Sequence, residues 1–220
     1  MEETRATKIL PVDYKIRMKG YTTASKTPDV PKGRDTFETP NYAVDILVPF
    51  IPKKIHSIWE CACGSGRIST RLHYHGYSVF SSDIRDSPNV DIAMSFLKDY
   101  PAQWVLGPWF GKAEPYVSDG AIITNPPYSI KEEFIERGLE LKIPFAFLIN
   151  ADYSGMQIGW IQRGCEKIIP NRRIDFITPT GRQGKTSASQ FHSMWLTWGF
   201  NLGRTETFVD LPLEEKKNNI

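Results

Sequence analysis

The sequence predicts an α/β domain in which helices cover both faces of a central, mostly parallel sheet. Short apolar runs of strand length alternate along the chain with segments of helical periodicity. Three of the runs end in an acid or in an Asn-Pro step, and ligands of open α/β sheets bind beyond such strand ends. The length of 220 residues is typical of one domain with short extensions.

The predicted elements form a seven-stranded sheet. The first helix is expected at 42–50, after a Thr-Pro start signal, and two more at 67–75 and 129–141. The strands are expected at 56–59, 78–82, 120–124 and 144–150, with a shorter element at 91–97 and two closing strands at 173–177 and 194–198.

Three regions are expected along the chain: a basic arm at 1–36, a single domain at 37–210 and a charged tail at 211–220. Residues 1–34 carry eight Lys or Arg against four acids, and residues 163–185 carry six against two. Because the net charge is only +2, the rest of the chain is acidic. This polarity is typical of a protein that holds a polyanion on one side.

Composition excludes several classes of protein. A hydrophobic content of 40% argues against disorder, and the apolar runs are too short to cross a bilayer. The N-terminus lacks the apolar segment of a secretory signal, so we expect a cytoplasmic protein without a membrane partner, as a monomer or weak dimer. The three cysteines and four histidines show no metal-ligand spacing, so no metal is expected.

The first two strand ends suggest a nucleoside cofactor. One strand runs into Glu60 and a turn containing Gly64 and Gly66, where the backbone can approach a ligand closely and the acid can receive a positively charged amino group. The next strand ends at Asp83, which can accept hydrogen bonds from both ribose hydroxyls. Ser69 stands where a dinucleotide fingerprint needs its third glycine, which argues against NAD.

The third strand end carries Asn125, Pro126, Pro127 and Tyr128. Two consecutive prolines remove two backbone donors, so this segment presents acceptors: the Asn125 side-chain oxygen and the Pro126 carbonyl. An amino nitrogen with two hydrogens would find both acceptors there, and its lone pair would be localised for attack on an electrophilic methyl. The Tyr128 ring can stack on a planar base or amide.

In this order, the motifs over about residues 35–200 resemble S-adenosylmethionine-dependent amino-methyltransferases, specifically the DNA N6-adenine group with its phage and prophage members. The resemblance implies a Rossmann-like class I methyltransferase fold. Residues 37–40 (Phe-Glu-Thr-Pro) are similar to the motif that closes over the methionine end of the cofactor. Ser95 replaces the family's usual acid at the cofactor adenine, and Phe96 would pack on that ring. Residues 192–195 fall near a late motif that holds the target base.

The resemblance implies a full set of site residues and no metal. The implied cofactor contacts are Phe37, Thr39, Pro40, Glu60, Cys61, Ala62, Gly64, Gly66, Asp83, Ile84, Ser95, Phe96 and Asn125. The implied catalytic residues are Asn125, Pro126, Pro127 and Tyr128. The expected nucleic-acid contacts are Tyr128, Arg172, Arg173, Arg182, Lys185 and Trp195. Phe176, Phe191 and Trp195 are candidates for the second stacking face of a flipped base.

The reaction is thus expected to be N6-adenine methylation of DNA, in a restriction-modification system or as phage DNA modification, with short or relaxed sequence specificity. RNA adenine methylation is the main alternative, since close variants of the Asn-Pro-Pro-Tyr motif serve both. Protein-glutamine methylation would need an N-terminal helical domain, and an inactive binding module is a third alternative. Residues 181–186 resemble a phosphate-binding loop, but Pro179 replaces its first glycine, which argues against an NTPase.

Overall fold

The computed structural model describes residues 37–99, 120–151, 153–178 and 191–211. The predicted arm at 1–36, the predicted nucleic-acid contacts Arg182 and Lys185, and all but the first residue of the predicted tail lie outside the described residues. Leu211, the last described residue, is fully buried.

The described residues form eight strands and four α-helices. The strands are β1 (Ser57–Glu60), β2 (Ser78–Asp83), β3 (Ile92–Ala93), β4 (Gly120–Thr124), β5 (Phe145–Asn150), β6 (Cys165–Pro170), β7 (Ser193–Trp198) and β8 (Glu206–Val209). The helices are α1 (Asn41–Asp45), α2 (Arg67–Tyr74), α3 (Lys131–Leu141) and α4 (Gly155–Gln162), with 3-10 turns at Val48–Phe50 and Tyr128–Ile130.

All eight strands belong to one sheet in the order β3-β2-β1-β4-β5-β7-β6-β8. The first five strands of that order are parallel. β7 is antiparallel to both β5 and β6, and β8 runs parallel to β6. The fold is therefore the expected α/β arrangement with a mostly parallel sheet, although it has one strand more than predicted.

The sheet is buried on both faces, as its apolar strands require. In β1, the side chain of Ile58 belongs to the cluster that packs with α1 and α2, while Trp59 belongs to the cluster that packs with α3 and α4. α3 lies close to the sheet at Gly138, where a Cβ atom would come within 2.9 Å of the Phe145 ring. A larger residue there would push the helix away from β5.

Two predicted elements differ from the structure. The segment at 173–177 is not a strand: only Ile177 forms an isolated bridge, with Glu38. The strand in this region is β6, which the sequence hides because Lys167 stands in it and is almost fully buried. Its ammonium pairs with Glu206 at 3.4 Å and lies over the Tyr153 ring. This pairing satisfies the buried charge.

The other difference lies in the helices. The predicted helix at 42–50 divides into α1 and the 3-10 turn that contains Pro49, because proline cannot donate the hydrogen bond a longer α-helix needs. α4 was not predicted at all. Its sequence, Gly-Met-Gln-Ile-Gly-Trp-Ile-Gln, has no clear polar face and holds two glycines.

Candidate active site

The candidate site lies at the carboxyl ends of three neighbouring parallel strands. β1 pairs in parallel with β2 on one side and with β4 on the other, so the carboxyl ends of the three strands lie at the same edge of the sheet. Glu60 and Asp83 are the last residues of β1 and β2, and Asn125 directly follows β4. The sheet thus brings the predicted cofactor acids and the predicted catalytic amide to one edge.

The turn after β1 is held against the end of β2. Gly64 and Gly66 have φ values of +57° and +82°, which favour glycine. The Gly64 N–H donates to Asp83 Oδ2 at 2.9 Å, and the Cys63 N–H donates to the Ser82 carbonyl at 2.9 Å. A backbone turn and an acid are therefore fixed side by side, which is the arrangement expected around a ribose.

Asp83 accepts hydrogen bonds from two neighbours in the site, Gly64 and Arg85. Besides the Gly64 bond to Oδ2, its Oδ1 accepts from the Arg85 backbone N–H at 2.9 Å and from Arg85 Nε at 3.0 Å. Burial opposes ionisation, but the hydrogen bonds from Arg85 and Gly64 outweigh it and lower the pKa of Asp83. Asp83 is consequently ionised at neutral pH. Sequence reasoning missed Arg85, although it stands only two residues beyond the acid.

Glu60 is a buried acid of the opposite kind, with 1% of its surface exposed. Its Oε2 accepts from the Ser69 backbone N–H at 2.8 Å and also from the Ser69 hydroxyl. Desolvation outweighs these bonds and raises the pKa of Glu60 to about 8. At neutral pH the Glu60 carboxyl is thus mostly protonated, whereas the sequence suggested a charged acceptor for an amino group.

The other residues of the turn are small or buried. Cys61 and Cys63 are both buried, and burial raises the pKa of Cys63 to about 12. Ala62 is half-buried against the aromatic core, and Ile84, beyond Asp83, is 41% exposed. These thiols are therefore protonated and serve as packing groups.

Asn125 presents one used and one unused end of its amide. Nδ2 donates to the Thr39 hydroxyl at 3.2 Å. Oδ1 is buried and has no hydrogen-bond partner within the described part of the chain. Buried acceptors almost always have a partner, so this oxygen is available to a ligand donor. Pro126 is buried, and Pro127 adopts an extended conformation with φ −55° and ψ 122°.

Tyr128 lies among aromatic side chains from later in the chain. Its ring meets Phe191 edge-on with a centroid distance of 5.2 Å, and Phe176 edge-on at 6.3 Å. Phe176 is 2% exposed, while Phe191 is 40% exposed. Burial raises the pKa of the Tyr128 hydroxyl, an effect that nearby Ser193 offsets in part. Of these rings, Phe191 offers the most surface to a planar ligand.

The segment at 37–40 connects the parts of the site. Glu38 and Ile177 exchange two backbone hydrogen bonds of 2.9 and 3.0 Å, and the Glu38 carboxylate pairs with Arg67 Nε at 2.5 Å. Thr39 is 4% exposed and contacts Asn125, as described above. The segment ends at buried Pro40, with Phe37 packed partly against the core at its start.

Two predicted contacts lie in the core, against expectation. Trp195 is fully buried, and its Nε1 donates to the Ala43 carbonyl at 2.7 Å, so its ring has no surface for a base or for nucleic acid. Phe96 is 2% exposed and packs among Trp59, Phe134 and Phe147. It anchors its segment to the core and has little surface left to cover an adenine.

A carboxylate lies beside Ser95, and Asp99, which sequence reasoning missed, supplies it. Asp99 Oδ2 accepts from the Ser95 backbone N–H at 2.6 Å, and the Asp99 N–H donates to the Ser95 carbonyl at 2.9 Å. The pair forms one turn that brings the acid back to the predicted adenine position. Of the predicted arginine contacts that the structure describes, Arg172 is half-buried and Arg173 is exposed.

The described ranges contain neither a metal-binding cluster nor a membrane-spanning helix. No cluster of three or more His, Cys, Asp or Glu side chains there is arranged to bind a metal ion. None of the helices there has the length and apolar character needed to span a membrane.

Comparisons with known proteins place the fold. No family model matches the chain, and no curated protein matches it in sequence. Among solved structures, the type IIG restriction endonuclease BpuSI has a TM-score of 0.50 at 12% identity, over 87% of this chain and 28% of that one. A TehB-like SAM-dependent methyltransferase from Corynebacterium glutamicum has a TM-score of 0.39 at 12% identity, over 71% of this chain and 85% of that one.

A dimethyladenosine transferase from Plasmodium falciparum has a TM-score of 0.43 at 14% identity, over 73% of this chain and 62% of that one. At such low identity these likenesses concern the fold alone. The strand order described above shows an α/β fold with one mostly parallel sheet, and the likeness to BpuSI, at a TM-score of 0.50, is a likeness of that fold.

Proposed function

We propose that this protein transfers a methyl group from S-adenosylmethionine to N6 of adenine in DNA. The observation that carries the proposal is the Asn125 amide. Its oxygen is buried without a partner, while its nitrogen is tied to Thr39. A buried acceptor at a strand end, next to two prolines that donate nothing, suits a substrate that brings two N–H donors.

The cofactor side of the site fits a nucleoside that carries an amino acid. Asp83 and the Gly64 turn would hold the ribose, while Phe37, Pro40 and the buried Glu60 would lie at the methionine end. Ser95 and Asp99 would face the adenine edge. The hydrogen bond from Gly64 to Asp83, which already fixes the turn beside the acid, supports the assignment of the ribose position. When bound, S-adenosylmethionine supplies a methyl group that its sulfonium has already activated.

The transfer needs no general base in its first step. Asn125 Oδ1 and the Pro126 carbonyl accept the two amino hydrogens and localise the lone pair on nitrogen. Bound S-adenosylmethionine would supply the methyl group to this lone pair, and the electron pair of the sulfur–methyl bond would remain on sulfur. The product nitrogen then loses one proton to solvent. Preorganised acceptors of this kind act where charge develops in the transition state.

The aromatic group around Tyr128 supports a planar substrate. N6 of adenine cannot be reached inside a duplex, so the base must leave the stack at a cost of a few kcal/mol. Stacking on an aromatic ring returns about 1–3 kcal/mol per base. Tyr128 supplies one such ring, and Phe191 is the best exposed second ring. The preference for DNA rests on the motif order, residues 37–40 and the basic segments of the sequence.

In the test, the protein is incubated with radiolabelled S-adenosylmethionine and with DNA, RNA or a release-factor protein. The modified nucleoside or residue is then identified. We expect N6-methyladenine in DNA, and at least about hundredfold less of it with Asn125→Ala, as for loss of one oriented transition-state contact. Asn201→Gly, at an exposed position with φ +57°, is the matched control and should keep full activity.

Each other outcome has a defined meaning. Label in RNA or in glutamine would support methylation of an amino nitrogen but would show that DNA is not the substrate. Full activity of Asn125→Ala would refute the mechanism. Binding of S-adenosylhomocysteine without methylation of any substrate would indicate an inactive binding module.

A further inference from the structure

The amide of Asn125 can turn over about its terminal bond, and only one of its two orientations suits the proposed reaction. With Oδ1 toward the substrate, the amide accepts an amino hydrogen. With Nδ2 toward the substrate, two sets of N–H donors would face each other. Something in the site must therefore select the orientation.

We propose that Thr39 is the positioning residue that holds the Asn125 amide with its oxygen toward the substrate. Asn125 Nδ2 donates to the Thr39 hydroxyl at 3.2 Å, which occupies the nitrogen end and leaves the buried Oδ1 open. The inference rests on the proposed function but assigns Thr39 a role toward the catalytic amide, in place of the cofactor contact that the sequence suggested.

Thr39 can serve this purpose because its own position is fixed. The side chain is in the interior, with 4% of the residue exposed, so water does not replace its hydroxyl easily. Its neighbour Glu38 is tied by two backbone hydrogen bonds to Ile177 and by an ion pair to Arg67. On the other side, the Pro40 carbonyl accepts from the Ala43 N–H at 3.0 Å at the start of α1. Both flanks of the threonine are thus anchored.

The same anchors give the segment a second consequence. The Arg67 partner of Glu38 directly follows the glycine turn, and Ile177 follows Phe176, which contacts Tyr128. The catalytic amide is thereby linked through one short segment to the predicted cofactor turn and to the aromatic group. A shift of residues 37–40 would change the Thr39–Asn125 hydrogen bond.

The experiment compares Thr39→Val, which keeps the shape and loses the hydroxyl, with Thr39→Ser, which keeps the hydroxyl. Removing the acceptor leaves the part-buried Asn125 amide donor without this partner, and we expect about tenfold or more loss of kcat for methyl transfer. The affinity for S-adenosylhomocysteine, measured by calorimetry, should stay within about twofold of wild type, since the cofactor acids are untouched. Thr39→Ser should restore most of the rate, and Thr207→Val in β8 is the control for a Thr-to-Val change elsewhere.

A second measurement does not depend on turnover. In the ¹⁵N–¹H spectrum, the Asn125 side-chain amide, assigned by its loss in Asn125→Ala, should give one pair of slowly exchanging signals in the wild type. Thr39→Val should broaden or shift this pair, and Thr39→Ser should not.

The outcomes separate the two proposals. If the signals respond as expected but the wild type methylates nothing, the positioning role stands and the proposed reaction fails. If Asn125→Ala is inactive while Thr39→Val keeps its kcat and its amide signals, the reaction stands and the positioning role is refuted. A loss of S-adenosylhomocysteine affinity that matches the loss of rate would assign Thr39 to the cofactor instead.

Discussion

The ends of β1 and β2 carry two carboxyl groups on adjacent strands, yet their surroundings give them opposite charge at neutral pH. Glu60 is almost fully buried and receives hydrogen bonds only from neutral groups of the described chain, Ser69 and Cys63, so burial raises its pKa to about 8. Asp83 receives hydrogen bonds from Gly64 and from a cationic partner, Arg85, so its pKa falls. Strand position alone therefore does not set the charge of an acid; its burial and the number and charge of its hydrogen-bond donors do.

The difference in charge gives the two acids different roles. The ionised Asp83 can accept two hydroxyl hydrogens as a fixed charged acceptor. The protonated Glu60 instead ties the glycine turn to α2 through Ser69. Substitutions of Asp83, Glu60 and Arg85 test this difference.

The largest effect is expected from Asp83→Ala. Hydrogen bonds to a charged group contribute about 1.5–3 kcal/mol each, so loss of two predicts at least about hundredfold weaker binding of S-adenosylhomocysteine. Calorimetry measures this, and Asp83→Asn, which keeps one acceptor, should fall between. Thermal unfolding of each variant checks that the Gly64 turn remains folded. Affinity within about threefold of wild type would exclude Asp83 as the ribose ligand.

The second effect is the pH dependence of stability from Glu60. The pKa is about 8 in the folded protein against 4.5 for the free residue, so the folded state holds an extra proton between these values. The stabilisation is fully present below pH 4.5 and is lost as the pH rises through 8, with a slope of up to about 1.4 kcal/mol per pH unit.

Glu60→Gln replaces the protonated acid by a neutral side chain of the same shape. It should remove this slope between about pH 5 and pH 8, the range between the two pKa values. Urea denaturation at several pH values gives the comparison. Equal slopes for the wild type and Glu60→Gln would mean that Glu60 is ionised, and the contrast with Asp83 would disappear.

The smallest effect is expected from Arg85→Ala. The Arg85 side chain is 51% exposed and occupies Asp83, so a ribose has to compete with it. Exposed ion pairs contribute about 0–1 kcal/mol, so its removal should tighten S-adenosylhomocysteine binding by up to about fivefold. Arg204→Ala, at an exposed position, is the control. Weaker binding by Arg85→Ala would make the arginine a ligand contact and not a competitor.

The sequence predicted the parts of this molecule that depend on strand ends and turn chemistry. β1, β2 and β4 lie where their apolar runs and following acids or prolines placed them, and the glycine turn has the positive φ values that its residues allow. These features are local, so a short stretch of chain contains the information needed to predict them.

The failures concern properties that only the folded chain decides. Trp195 and Phe96 were assigned to ligands because aromatic residues serve both cores and binding sites, and only burial distinguishes the two uses. β6 was missed because Lys167 lies within it, and the partners of its buried ammonium, Tyr153 and Glu206, belong to other segments of the chain. Asp99 and the charge state of Glu60 likewise depend on hydrogen bonds and burial that composition does not show.

The position of β7 has a consequence for how the chain is made. β7 lies between β5 and β6 and pairs with both, although it follows them in sequence. While the ribosome is still synthesising residues 193–198, the facing edges of β5 and β6 have no strand between them, and β8 has not yet been made. Open edges of apolar strands favour pairing with other chains. A nascent chain stalled before Ser193 would therefore be most exposed to aggregation and to chaperone binding.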